Sequence, residues 1–83
     1  MVNFGFTGLG AEIMEIEDRG REKILRILSR GITERAAVRG AKNEAMAIIP
    51  IRDQEVLNIT EDRRISRFST RYIVTISHNP DRY

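Results

Sequence analysis

Between Thr70 and Ser77 the chain alternates with a period of two: Tyr72, Val74 and Ile76 fall on one face, and Arg71, Ile73, Thr75 and Ser77 on the other. The run is rich in β-branched residues and holds neither Gly nor Pro, which reads as a strand. One apolar strand face is useless alone. It must pair along its edges and be covered on its apolar side, so the rest of an 83-residue chain has to supply both neighbours and a lid.

The lid is expected from the first half. Leu9, Ile13, Ile16, Gly20, Ile24, Ile27 and Gly31 recur at steps of three and four, the stripe of an amphipathic helix. Glu15 and Arg19, Glu17 and Arg21, and Glu22 and Arg26 stand four apart with the acid first, the better order for such pairs. Gly31 fits a left-handed C-cap and Thr33 the N-cap of a second helix through Val38, Ala41, Ala45 and Ile48, closed by Pro50. One long helix kinked at Gly31 is the alternative. Val56, Leu57 and Ile59 fit a further strand, with a turn at Thr60-Glu61-Asp62, and Asn79-Pro80-Asp81 turns the chain again. Val2, Phe4 and Phe6 alternate as a short opening strand. The expectation is a single α+β domain over 1–83, helical over 9–49 and β-rich over 51–83. One or two N-terminal amphipathic helices pack on a small antiparallel sheet. In that arrangement Leu9, Ile13, Ile16, Ile24 and Ile27 lie against Tyr72, Val74 and Ile76.

Candidate chemistry is sparse. There is no cysteine, so disulfides and thiolate metal sites are excluded, and the single His78 cannot build a metal cluster alone. Gly5-Phe6-Thr7-Gly8-Leu9-Gly10 matches neither dinucleotide nor P-loop spacing. The dense carboxylates Glu12, Glu15, Glu17 and Asp18 lack converging partner ligands and read as a solvated face. The chain is therefore read as a non-enzyme with no cofactor and no metal. The start, Met1-Val2-Asn3-Phe4-Gly5, lacks signal-peptide character, and no apolar run is long enough to span a membrane, so a cytoplasm or a particle assembled in one is the expected setting.

Charge points to partners. Arg63, Arg64, Arg67 and Arg71 cluster beside Phe68 and Tyr72, a basic stretch with interleaved aromatics. Three readings stay open: a protein interface, a nucleic-acid contact, or a plain solvated loop. Fourteen basic residues against twelve acidic leave a net charge of only +2, and Asp53, Glu55, Glu61 and Asp62 lie just upstream. That balance weighs against nucleic acid at physiological salt. A small core without staples favours self-association. The expected contact sets Arg63, Arg64, Arg67, Phe68 and Arg71 of one copy against Glu12, Glu15 and Asp18 of the next, head to tail, closing a ring.

The order of motifs resembles the tail-completion, or head–tail connector, family of long-tailed bacteriophages and prophages. Gly8-Leu9 precedes the first amphipathic stretch. Ala41-Lys42 and Ala45-Met46-Ala47-Ile48-Ile49-Pro50 close the alanine-rich one. Leu57-Asn58-Ile59 and Tyr72-Ile73-Val74-Thr75-Ile76-Ser77 follow, leading to Pro80-Asp81-Arg82-Tyr83. Arg52-Asp53-Gln54-Glu55 stands where the family usually carries a Gly, and the sequence stops at Tyr83, where the family continues. The resemblance implies a structural ring subunit of the virion, assembled in the host cytoplasm. Its implied partners are copies of itself and portal, adaptor or tail-tube proteins. The alternative function is a small nucleic-acid-binding or regulatory module using Arg63 to Arg71.

Overall fold

Gly20 decides the architecture of the first third of the chain. Its φ of 72° is a left-handed conformation open to glycine, and Arg21 after it stays at negative φ. With Arg19 and Glu22 paired across it, this is a two-residue hairpin loop with Gly in the first central position. In the computed structural model, which describes residues 10–78, the segment whose spacing predicts a helix is therefore a β-hairpin: β1 (Ala11–Arg19) and β2 (Glu22–Gly31). Among the described residues the chain then forms the helix α1 (Glu34–Ala45), a 3-10 turn (Ile51–Asp53), and a second hairpin of β3 (Gln54–Ser66) and β4 (Ser69–His78).

All four strands join one antiparallel sheet in the order β1-β2-β4-β3. The expected fold class is thus corrected. Among the described residues no N-terminal helix packs on the sheet, and a single helix follows two strands. The question of one kinked helix or two falls away, because Gly31 ends β2 rather than capping a helix. Among the described residues of 9–49, helical content is confined to α1. The expected strand at Val2, Phe4 and Phe6, the residue Leu9 and the turn at Asn79-Pro80-Asp81 lie outside the described residues.

A β-bulge imitates the helical stripe. Ile13 pairs with Ile27 and Ile16 with Leu25, so both isoleucines share one face of β1 although three residues separate them. The extra residue, Met14, sits at the register shift between Ile13 and Glu15. The acid–base pairs expected as helical neighbours run otherwise: Arg26 meets Glu15 across the strands at 3.1 Å, Lys23 meets Asp18 at 3.7 Å, and Arg19 meets Glu17 at 2.6 Å.

Helix α1 begins as anticipated, with the Thr33 hydroxyl accepting from the Ala36 amide at 3.1 Å. Its small residues Ala37, Ala41 and Ala45 are fully buried and let it lie close on the sheet. There Ala41 and Ala45 meet Leu25 and Ile27 of β2, Val74 and Ile76 of β4, and Ile49. Ile13, Val56, Ile59 and Tyr72 extend this core toward both edges. The Ser29 hydroxyl, also buried, donates to the Ala37 carbonyl at 2.7 Å. Tyr72, Val74 and Ile76 thus face the core as expected, and Ile13, Ile16 and Ile27 share their side of the same sheet. Ile24 is the exception: it pairs with Glu17 and Ser77 on the opposite, open face.

Candidate interaction surfaces at the sheet edges

Strand order fixes where the charged residues sit. Among the described residues β1 pairs with β2 alone and β3 with β4 alone, so each is an edge strand with one row of backbone groups facing outward. Glu12, Glu15, Glu17 and Asp18 all belong to β1, not to a helix. Glu12 and Glu15 oppose Leu28 and Arg26 and lie on the open face; Asp18 opposes Lys23 and lies on the helix-covered side. The first edge is acidic.

The other edge is the β3–β4 hairpin, whose residues 60–68 are all exposed. The turn expected at Thr60-Glu61-Asp62 is strand; the actual loop is Arg67-Phe68, closed by the Ser66–Ser69 pair. Arg63 stands opposite Arg71 on the open face, whereas Arg64 stands opposite Thr70 on the covered side. Arg67 and Phe68 occupy the tip, with Phe68 two-thirds exposed. The five basic-cluster residues are therefore brought onto one hairpin but split over two faces and its loop. Three steps of roughly 4.8 Å separate the two edges, about 14 Å in all. Within one chain the acidic and basic sets do not meet.

Two features have no signal in the local sequence pattern. Arg30 stands opposite Arg71, so Arg30, Arg71 and Arg63 form a row across three neighbouring strands. Like charges directly opposite are unfavourable. Arg71 alone of the three is relieved by a carboxylate among the described residues, donating from Nε to Asp62 Oδ2 at 2.9 Å. Only the strand register makes this row visible. The second feature is apolar exposure. Among the described residues eight large hydrophobics are exposed, and five of them, Met14, Ile16, Leu57, Ile65 and Phe68, belong to β1, β3 or the hairpin loop. Met14, Leu57 and Ile65 all sit at register shifts, which pushes side chains out of the alternating pattern.

Arg19, at the far end of β1, is exposed. Its hydrogen bond to Glu17 holds the guanidinium pKa above the ordinary arginine value, with the charges of Glu17 and Glu22 adding to it. His78 ends β4, with Nε2 3.6 Å from Oδ2 of the buried Asp53. Beside it, the Gln54 amide donates to the carbonyls of Lys42 at 3.0 Å and Ile49 at 2.9 Å, tying the start of β3 to the end of α1. A shallow groove along α1 is lined by Arg35, Arg39, Lys42 and Asn43, with Val38 and Ile51 as its apolar part. No helix among the described residues is long and apolar enough to cross a membrane.

No family model, curated protein or solved structure matches the chain.

Proposed function

We propose that this chain is a non-catalytic structural subunit that associates head to tail with copies of itself into a closed ring. One observation carries the reading. A single antiparallel sheet ends in an acidic strand, β1, on one side and in an arginine-bearing hairpin, β3–β4, on the other. Two different and complementary patches on one molecule make a heterologous contact, which closes into a ring when the rotation allows. Exposed Met14 and Ile16 at one edge and Leu57, Ile65 and Phe68 at the other supply apolar area for the same contact.

The virion setting rests on the family resemblance alone. In that setting the ring is a head–tail connector or tail-completion ring, built in the host cytoplasm and seated against portal, adaptor or tail-tube proteins. The sequence signals for that family survive as residues, but the N-terminal helix that accompanies them in the resemblance is a hairpin.

Sedimentation velocity over a range of concentrations tests self-association. Association that weakens as salt rises supports the reading, because exposed charge pairs are screened. A chain that stays at its 9.5 kDa monomer mass at every concentration refutes it.

The row of Arg30, Arg71 and Arg63 beside the exposed Phe68 favours a second reading, in which the open face and hairpin grip a nucleic-acid backbone and stack on a base. Tight binding to single-stranded or duplex DNA at ~150 mM salt would establish it over the first.

A further inference from the structure

Resting on the self-association reading, we propose that the subunit contact is a β-sheet continuation: β1 of one copy adds antiparallel to β3 of its neighbour, with Glu12 facing Arg63, Ile16 facing Ile59 and Arg19 facing Glu55.

Direction follows from topology. Each strand is antiparallel to its neighbour in the order β1-β2-β4-β3, so β1 and β3 run oppositely within one chain. A copy related by rotation about an axis along the strands keeps its own strand directions and brings β1 beside β3 antiparallel. The helix-covered faces then all lie on the same side of the assembly. Both edges have backbone groups to exchange, and strand addition of this kind draws its affinity from main-chain hydrogen bonds.

Register follows from the faces. On β1 the open face carries Glu12, Glu15, Glu17 and Arg19, and the covered face Ile13, Ile16 and Asp18, with Met14 as the bulged residue. On β3 the open face carries Glu55, Asn58, Thr60 and Arg63, and the covered face Val56, Ile59, Glu61 and Arg64, with Leu57 and Asp62 bulged. Side chains opposite each other in a sheet must share a face, so allowed registers differ by steps of two. With Glu12 on Arg63, Glu15 falls on Thr60, Ile16 on Ile59, Glu17 on Asn58 and Arg19 on Glu55, while on the covered face Ile13 falls on Glu61 and Asp18 on Val56. Among the described residues neither Glu12 nor Arg63 has an ion-pair partner within its own chain. Ile16, half exposed at the edge, meets the half-buried Ile59 and prolongs the core across the boundary. Sliding one step in one direction sets Glu17 against Glu55 and leaves Arg63 without an acid. Sliding the other way sets Glu15 against Arg63 but Arg19 against Asn58, and leaves no apolar pair on the covered face. Of the three registers only this one sets opposite charges together at both ends of the open face, with the Ile16–Ile59 pair between them.

The absence of native cysteine makes this directly testable in the full chain. Directly opposed residues in an antiparallel pair have Cα atoms about 4.5–5.5 Å apart, within reach of a disulfide, whereas 16 and 59 of one chain are separated by about 14 Å and cannot bridge. Mild oxidation of I16C/I59C is expected to yield covalent oligomers at multiples of the monomer mass. E12C/R63C is expected to do the same on the open face, which guards against misfolding of the first variant. I13C/I59C, the neighbouring register, is expected to remain uncrosslinked. If neither of the first two crosslinks while the unmodified chain sediments as an oligomer, strand pairing is wrong and self-association stands. Crosslinking of I13C/I59C in their place overturns the register. A chain that neither sediments as an oligomer nor crosslinks overturns both.

Discussion

Arg30 of β2 and Arg71 of β4 lie directly opposite each other on the open face of the sheet. Arg71 has Asp62 as a counter-charge, whereas Arg30 has no acidic partner among the described residues and lies over Gly10, where a Cβ would come within 2.5 Å of the Arg30 Nε. A like-charge cross-strand pair costs a few tenths to about 1 kcal/mol, and threonine is a better strand residue at such a site. Arg30→Thr is expected to stabilise the isolated chain by roughly 0.2–1 kcal/mol in a urea titration. A lower midpoint would show that packing of the arginine stem outweighs the repulsion.

Gln54 gives the opposite sign. Its buried side-chain amide bonds two carbonyls near the end of α1, and helix C-termini leave carbonyls in need of donors. Gln54→Ala strands those acceptors and is expected to cost roughly 1–3 kcal/mol. Asn58→Ala, exposed on the open face of the same strand, serves as the comparison. Equal losses in the two variants would contradict the assigned role of Gln54.

Core burial separates two isoleucines that a helical stripe would have treated alike. Ile27 is fully buried beneath α1, and Ile27→Ala is expected to cost roughly 2–5 kcal/mol. Ile24, on the open face, is nearly as inaccessible at 7% but is walled by polar strand neighbours such as Glu17 and Ser77, not by the helix. Ile24→Ala is expected to cost less than Ile27→Ala. The reverse order in denaturant melts would argue that Ile24, not Ile27, lies on the helix-covered side of β2.

These positions also explain what the sequence could carry. The β4 alternation, the Thr33 cap and the alanine-rich helix are legible because each is a local signal with a regular period. The first hairpin is not. A bulge at Met14 gives Ile13 and Ile16 a three-residue step, and it takes Leu25 and Leu28, which lie off the stripe of Ile24 and Ile27, to betray the strand. Gly20 fits the helical step by its position but forms the loop. The acidic and basic sets are visible as compositions. That they occupy opposite edges of one sheet, and that Arg63 and Arg64 point to opposite faces, depends on strand order and register, which no local pattern encodes.

The two adjacent arginines therefore provide the sharpest test of the contact. Arg63 shares the open face with the β1 glutamates, while Arg64 lies on the other face, with its Nε 3.4 Å from the Ser66 carbonyl of its own strand. Reversing Arg63 to Glu places a carboxylate opposite Glu12 of the neighbouring copy, and like charges across an interface are strongly disfavoured. Arg63→Glu is expected to weaken self-association by at least tenfold, about 1.4 kcal/mol, in sedimentation equilibrium. Adding Glu12→Arg to the same chain restores the opposite-charge pair with its polarity exchanged and is expected to recover most of that loss. Arg64→Glu changes the net charge identically and is expected to have a smaller effect. A nucleic-acid role predicts otherwise: both reversals would weaken DNA binding alike, through phosphate contacts, and Glu12→Arg would not act specifically on Arg63→Glu. Equal effects of Arg63→Glu and Arg64→Glu on assembly, with no rescue by Glu12→Arg, would remove the edge contact as the basis of the ring.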